Sequence, residues 1–180
     1  MILTAAHCVR KGGRRNVYLK DLGNNFNSRW KKDRAISATV VEFSARGDGS
    51  DLALMELNPN EEQLAEIKKR GFSRIIPKAE AAKLKIGDDV MIIGCPSYTF
   101  YKEGCQIKGI DKTTGTNSLR TNLQPANGMS GGGLFKGRYL IGVTASGGSR
   151  YGGGFANPES IYKLLGNKYP SLYKIFLIVI

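Results

Sequence analysis

The sequence has few of the residues that build metal centres and disulfide frameworks. Its 180 residues include one histidine, His7, and three cysteines, Cys8, Cys95 and Cys105. One histidine and three dispersed cysteines do not match the ligand spacing of a zinc site, so we expect no metal. The glycine-rich run at 128–134 lacks the Lys and Ser/Thr of a phosphate loop, which argues against a nucleotide-binding enzyme. We therefore expect a protein without a cofactor.

Long apolar runs and acidic residues are also scarce. The apolar ending at 176–180 is too short to span a bilayer, and residues 1–7 show no signal-peptide pattern. Lys and Arg number 27 against 15 Asp and Glu, a net charge of +12. Much of this positive charge lies in residues 10–34, where a contact with an anionic surface is one interpretation. Few aromatic residues accompany it, so we favour a solvated basic face over a base-stacking platform.

Glycine is abundant, with 23 copies, and short runs rich in β-branched and aromatic residues lie between polar or glycine-rich stretches. This texture is typical of an all-β protein with many tight turns. The predicted strands lie at 16–20, 37–43, 52–57, 89–94, 106–110, 118–123 and 139–144.

Two short helices complete the predicted organisation. Asn60 can cap a helix that ends near Gly71, and Asn157 can cap one that has Pro158 in its first turn and ends at Gly166. The predicted divisions are a first β-lobe, a connector with a short helix, a second β-lobe, and a C-terminal helix with an apolar tail, at 1–58, 59–85, 86–156 and 157–180.

Three segments far apart in the chain contain the polar residues used in nucleophilic catalysis. His7 lies in Leu-Thr-Ala-Ala-His-Cys, Asp51 in Ser-Asp-Leu-Ala-Leu-Met, and Ser130 in Gly-Met-Ser-Gly-Gly-Gly-Leu. Each segment alone fits an ordinary surface or turn residue. In this order, with separations of 44 and 79 residues, they resemble the T-A-A-H-C, D-(I/L)-A-L and G-x-S-G-G motifs of the trypsin-like (chymotrypsin-fold) serine peptidases.

The resemblance implies two six-stranded antiparallel β-barrels with a C-terminal helix. It also implies a serine endopeptidase that cleaves protein or peptide substrates through an acyl-enzyme. Ser130 would be the nucleophile, His7 its general base and Asp51 the carboxylate that orients His7. The backbone N–H groups of Gly128 and Ser130 would form the oxyanion hole.

Substrate recognition is also implied by the resemblance. The run 139–147 is similar to the strand that binds extended substrate in this family. The residues implied for substrate binding are Gln124, Thr144, Ala145, Ser146 and Gly147. Gln124 stands where trypsin has an acid, so no preference for Lys or Arg follows. Met129 before the serine is typical of bacterial relatives such as the glutamyl endopeptidases and the high-temperature-requirement proteases.

The sequence departs from the family pattern at its start. The histidine motif begins at residue 2, whereas in the family it follows two strands of the first barrel. We therefore expect a truncated chain whose first barrel is incomplete at its N-terminus, with Cys8 lacking its usual disulfide partner. Cys95 and Cys105 flank an expected hairpin loop at 96–104, and they either form a disulfide or remain two free thiols.

Two further expectations concern the setting of the protein. Family members are mostly secreted or periplasmic, and a hairpin disulfide would fit an oxidising compartment. A competing hypothesis is an inactive or truncated protease-fold module that binds peptides or anionic polymers. The sequence gives no oligomeric state.

Overall fold

The computed structural model describes residues 1–9, 13–18, 35–44, 50–96, 99–110, 119–146, 154–166 and 169. Most of the basic segment 10–34, Gly147 and the tail at 170–180 lie outside these ranges, and only the backbone of Ser146 is described. The predictions that fall on those residues therefore lie outside the described part of the chain.

The first lobe is built around a four-stranded antiparallel sheet with the order β1-β4-β3-β2. Its strands are β1 (Ile2–Ala5), β2 (Arg14–Tyr18), β3 (Ala35–Phe43) and β4 (Leu52–Asn58). On β3, Ile36, Ala38 and Val40 are buried while the residues between them are exposed, the two-residue period of a strand with one face on the core. All of β1 is buried.

The second lobe is a closed six-stranded antiparallel barrel. Its ring order is β11-β8-β7-β6-β9-β10, and pairing of β10 with β11 closes it. The two-residue strand β5 (Arg74–Ile75) adds to β10 in parallel, outside the ring. The barrel strands are β6 (Asp89–Gly94), β7 (Tyr101–Ile110), β8 (Leu119–Thr121), β9 (Gly133–Lys136), β10 (Tyr139–Ser146) and β11 (Gly154–Ala156).

Both predicted helices are observed. Helix α1 (Glu61–Arg70) has Asn60 as its N-cap in a reciprocal capping box with Gln63, and Gly71 follows its last residue. Helix α3 (Pro158–Leu165) begins after Asn157, whose side chain accepts from the Ser160 N–H. A one-turn helix, α2 (Lys78–Ala81), was not predicted. No helix formed by the described residues has the length and apolarity needed to cross a membrane.

The predicted fold class is confirmed, but several elements were missed or misplaced. Strands β1, β5, β9 and β11 were not predicted. Strand β7 begins at Tyr101, five residues earlier than predicted. The predicted domain boundaries stay predictions.

Of the two alternatives for Cys95 and Cys105, the disulfide is wrong and the pair of free thiols is confirmed, because all three cysteines are free. In the β6–β7 ladder Gly94 lies opposite Tyr101, so the hairpin turns just after Cys95. Cys105 lies opposite Val90, five residues before Cys95 along the chain. At strand spacing this separates the two cysteines by roughly 16 Å. A disulfide needs Cα atoms within about 7 Å.

Candidate active site

The histidine segment is positioned by the pairing of two buried strands. Strand β1 runs antiparallel to β4 with Ala5 opposite Leu52, so the chain after β1 lies beside the chain before β4. A short 3-10 turn follows at Ala6–Cys8, and the Ala6 N–H donates to the Asp51 carbonyl at 2.8 Å. This register brings together His7 and Asp51, which are 44 residues apart in sequence.

Asp51 contacts His7 through both of its carboxylate oxygens. Oδ2 lies 2.6 Å from His7 Nδ1, and Oδ1 accepts the His7 backbone N–H at 2.9 Å. The Asp51 side chain is 6% exposed and that of His7 is 33% exposed. An acceptor at Nδ1 favours the tautomer that carries its proton on Nδ1, which leaves Nε2 as the basic nitrogen. The pair can therefore act as a positioned proton acceptor.

The backbone around Asp51 is held in an uncommon conformation. Asp51 has φ +45°, in the left-handed region, which costs a non-glycine residue on the order of 1 kcal/mol. Ser44 fixes both neighbours of Asp51, since its Oγ accepts from Ser50 Oγ at 2.6 Å and from the Leu52 N–H at 2.9 Å. The sequence analysis missed Ser44, and no motif signals a contact that depends on the β3–β4 register.

The Ser130 loop is a tight turn anchored to strand β10. Gly128 and Gly131 have φ +85° and +84°, conformations that side-chain-bearing residues rarely adopt. The Gly131 N–H donates to the Thr144 carbonyl, and the Thr144 N–H donates to the Gly132 carbonyl, both at 2.8 Å. Met129 is fully buried, and its Sδ accepts the Ala126 N–H at 3.3 Å, which ties the start of the turn to the core.

The backbone N–H groups of this loop fall into two sets. Those of Met129, Gly131 and Gly132 donate to carbonyls within the fold. Those of Gly128 and Ser130 have no acceptor among the described residues. These two were predicted to form the oxyanion hole, and they are available to a ligand oxygen.

Two contacts bring the serine loop against the histidine segment. Cys8 Sγ donates to the Ser130 carbonyl oxygen at 3.9 Å. Burial, followed by the charge of Asp51, raises the pKa of Cys8, which keeps its thiol protonated as a donor. A Cβ added at Gly131 would lie 2.3 Å from Thr4 Oγ1, so Thr4 packs directly against the loop. Thr4 was not singled out in the sequence, although it lies in the histidine motif.

The residues predicted to bind substrate fall in different environments. Thr144 is fully buried, and both its backbone groups hold the serine loop. Ala145 is 5% exposed, in the part of β10 that irregularly pairs with β11. Gln124 is exposed on the segment leading to the loop. The hydroxyls of Thr4 and Thr144 are buried without a hydrogen-bond partner among the described residues.

A comparison with family models matches residues 1–143 to the trypsin-like peptidase domain. The chain belongs to this family. The match includes His7, Asp51 and Ser130, the three residues on which the sequence motifs depend. A search of curated protein sequences finds no match.

Solved structures of proteases have the same fold. An HtrA-type protease, AlgW with a decapeptide, aligns with a TM-score of 0.58 and 20% identity over 88% of this chain. A serine endoprotease from Yersinia pestis aligns with a TM-score of 0.59 and 20% identity over 89% of this chain. A chymotrypsin from Cellulomonas bogoriensis aligns with a TM-score of 0.51 and 20% identity. The alignment covers 89% of this chain and 80% of the chymotrypsin. The chain spans 45% and 50% of the first two proteins, so it corresponds to about half of their length.

Proposed function

We propose that this trypsin-like peptidase domain is a serine endopeptidase that hydrolyses peptide bonds through an acyl-enzyme. The observation that carries the proposal is the two-point contact between Asp51 and His7, beside a glycine-rich loop that contains Ser130. A single aspartate–histidine contact is common in structural roles. The contact at Nδ1 together with the one at the backbone N–H fixes the orientation of the imidazole, which supports a role as general base.

In the proposed mechanism Ser130 attacks the scissile carbonyl carbon while His7 Nε2 accepts the hydroxyl proton. His7 then delivers that proton to the leaving amine, and the acyl group stays on Ser130 until water, activated by His7, releases it. Asp51 holds the tautomer and stabilises the imidazolium during each transfer. The low exposure of Asp51 keeps water from competing for its oxygens.

The backbone N–H groups of Gly128 and Ser130 are proposed to bind the oxyanion. Donors fixed by the fold need no reorganisation when charge develops, and one such donor contributes about 10²- to 10³-fold in turnover. At these two positions the N–H groups have no acceptor in the described part of the chain, whereas the neighbouring N–H groups are occupied, and this supports the role.

Substrate is proposed to bind as an extended peptide along β10, with Gln124, Ala145, Ser146 and Gly147 near its side chains. Thr144 contributes indirectly, because its side chain is buried and both its backbone groups hold the serine loop through Gly131 and Gly132. We keep secretion or export to the periplasm as a proposal from family resemblance alone, since the disulfide that would have supported it is absent.

Covalent labelling tests the proposal. The purified chain is treated with a fluorophosphonate probe, and intact mass and peptide mapping locate the adduct. We expect one adduct on Ser130, lost in Ser130→Ala and retained in the matched control Ser73→Ala, a serine on the connector before β5.

The same experiment separates the competing hypothesis. A folded protein that forms no adduct would favour a non-catalytic module that binds peptides or anionic polymers. An adduct that persists in Ser130→Ala would place the nucleophile elsewhere.

A further inference from the structure

The outer face of the second barrel carries a groove that the proposed mechanism does not use. Its volume is about 810 Å³, within the range of ligand-binding clefts. It lies over β6, β7 and β9, with Phe72 and Ser73 of the connector at one side. We call it the outer groove.

Strand alternation makes the floor of the outer groove apolar. On β6, Val90 and Ile92 are buried, whereas Met91 and Ile93 are half-buried and line the groove. The ladders place Met91 directly between Phe135 of β9 and Gly104 of β7. A methionine flanked by an aromatic ring and a glycine gives a floor that accepts a bulky apolar side chain.

The glycine leaves room above this floor. A Cβ built on Gly104 would meet no atom within 4 Å. At one side Phe72 is 47% exposed, although it is a large apolar residue. Apolar side chains that line a concave surface and remain exposed indicate a binding site more strongly than scattered surface residues do.

The two ends of the groove differ in charge. At one end Asp89 lies opposite Gln106 and accepts from its Nε2 at 3.0 Å, and Arg138 also lines the groove. At the other end Lys102 lies opposite Ile93. Lys102 forms no ion pair with any residue in the described ranges, so none of those residues neutralises its charge.

The Lys102 end lies toward the serine loop. The carbonyl oxygen of Ile93 is 2.7 Å from the position that a Cβ would take on Gly132. Met91, at the floor of the groove, lies two residues before Ile93 on β6, roughly 7 Å from it. The outer groove is therefore separate from the His7–Asp51 pair but on a strand that contacts the serine loop.

We propose that the outer groove docks an extended peptide segment of a partner protein, which places an apolar side chain on Met91 and a carboxylate near Lys102. In the β6–β7 ladder Lys102 pairs with Ile93, which lies two residues after Met91. Side chains at positions i and i+2 of an extended peptide have the same spacing. A net charge of +12 also favours encounter with an acidic partner.

NMR titration tests this docking in the Ser130→Ala background, in which the proposed nucleophile is absent. The probes are the peptides Gly-Phe-Ser-Glu-Gly and its reverse, Gly-Glu-Ser-Phe-Gly, so that both chain directions are covered. We expect one of them to shift amide resonances of β6 and β7, including that of Gly104. Replacing Glu by Lys or Phe by Ala should weaken binding at least tenfold.

Two variants test the location. Gly104→Val adds apolar bulk to the floor at a position where a Cβ meets no atom within 4 Å, and it should weaken peptide binding at least tenfold. Gly109→Ala on the same strand, where a Cβ meets only Arg120 carbons at 3.7–3.9 Å, should not. Lys102→Glu should reverse the preference toward the Lys-containing peptide. Thermal unfolding checks that each variant is folded.

Three results would overturn the proposal. They are shifts confined to the serine loop, unchanged affinity in both Gly104→Val and Lys102→Glu, and a dimer in sedimentation that Gly104→Val dissociates. The last result would assign the groove to a second copy of this chain.

Discussion

The contact between Gly131 and Thr4 gives a prediction that can be worked from the structure. In Gly131→Ala the new Cβ would lie 2.3 Å from Thr4 Oγ1, 3.4 Å from the Ala5 nitrogen and 3.5 Å from Thr4 Cβ. Only the first distance is shorter than real Cβ contacts permit. The backbone at Gly131, with φ +84°, is also one that alanine rarely adopts.

The two effects have separable magnitudes. The steric conflict belongs to the overpacking class, which costs about 1–3 kcal/mol in unfolding free energy. The left-handed backbone adds about 1 kcal/mol. A total of about 2–4 kcal/mol lowers Tm by about 10 °C for a domain of this size. A loop displaced by about 1 Å would also slow a reaction at Ser130 by about 10²-fold.

The double variant Thr4→Ala with Gly131→Ala isolates the steric part. It removes the oxygen at 2.3 Å and leaves contacts of 3.4 Å or more. Thr4→Ala alone should cost little, because the hydroxyl is buried without a partner in the described part of the chain. Urea unfolding measures the free energy of unfolding, and the rate of fluorophosphonate labelling measures the reactivity of Ser130. Gly109→Ala is the matched glycine control.

We expect the double variant to recover most of the stability and labelling lost in Gly131→Ala. The reasoning is refuted if Gly131→Ala unfolds and labels like the wild type. It is equally refuted if the double variant recovers neither property, since the contact with Thr4 would then not be the cause.

Two further predictions concern single carboxylates. Asp51→Asn should slow labelling of Ser130 by about 10³- to 10⁴-fold, because the amide can donate to Nδ1 and hold the wrong tautomer; unchanged labelling would exclude Asp51 from the site. Burial opposes ionisation of Asp88, but bonds from the Lys136 ammonium at 2.6 Å and the Lys85 N–H outweigh it and lower the pKa of Asp88. Its contribution to stability is therefore present above pH 4 and is lost as the pH falls through the lowered pKa. Asp88→Asn should lower the free energy of unfolding by about 1 kcal/mol or less at pH 7 and by a smaller amount at pH 3. Urea titrations of both proteins at the two pH values measure this difference, and a larger effect at pH 3 would contradict the predicted sign.

Local signals in the sequence predicted helices α1 and α3 and several of the strands well. The caps of α1 and α3 depend on residues within one turn, such as Asn60 with Gln63, so the chain near each end determines the boundary. Strand β6 was predicted with its observed bounds because four of its six residues, 90–93, form an apolar run before Gly94. The fold class follows from these elements together with the resemblance.

Several of the missed elements depend on partners that are distant in the sequence. Strand β1 is four residues long and reads as part of the histidine motif, but it becomes a strand because β4 pairs with it. Strand β11 has only Gly154–Ala156 and is stabilised by β8 and β10 on its two sides. The packing of Thr4 on Gly131 requires the two lobes to meet, which no local pattern can predict.

The register between β6 and β7 explains both why Cys95 and Cys105 are free thiols and where the outer groove lies. Pairing of Gly94 with Tyr101 leaves only six residues between the two strands and sets the start of β7 at Tyr101. A later start of β7 would have left the cysteines at the two ends of a loop. The observed start instead carries Cys105 past the turn to Val90 and sets Gly104 opposite Met91. Because barrel closure requires β7 to pair with β8 as well as β6, the register is determined by contacts on both sides, and the groove floor follows from the fold rather than from the loop sequence.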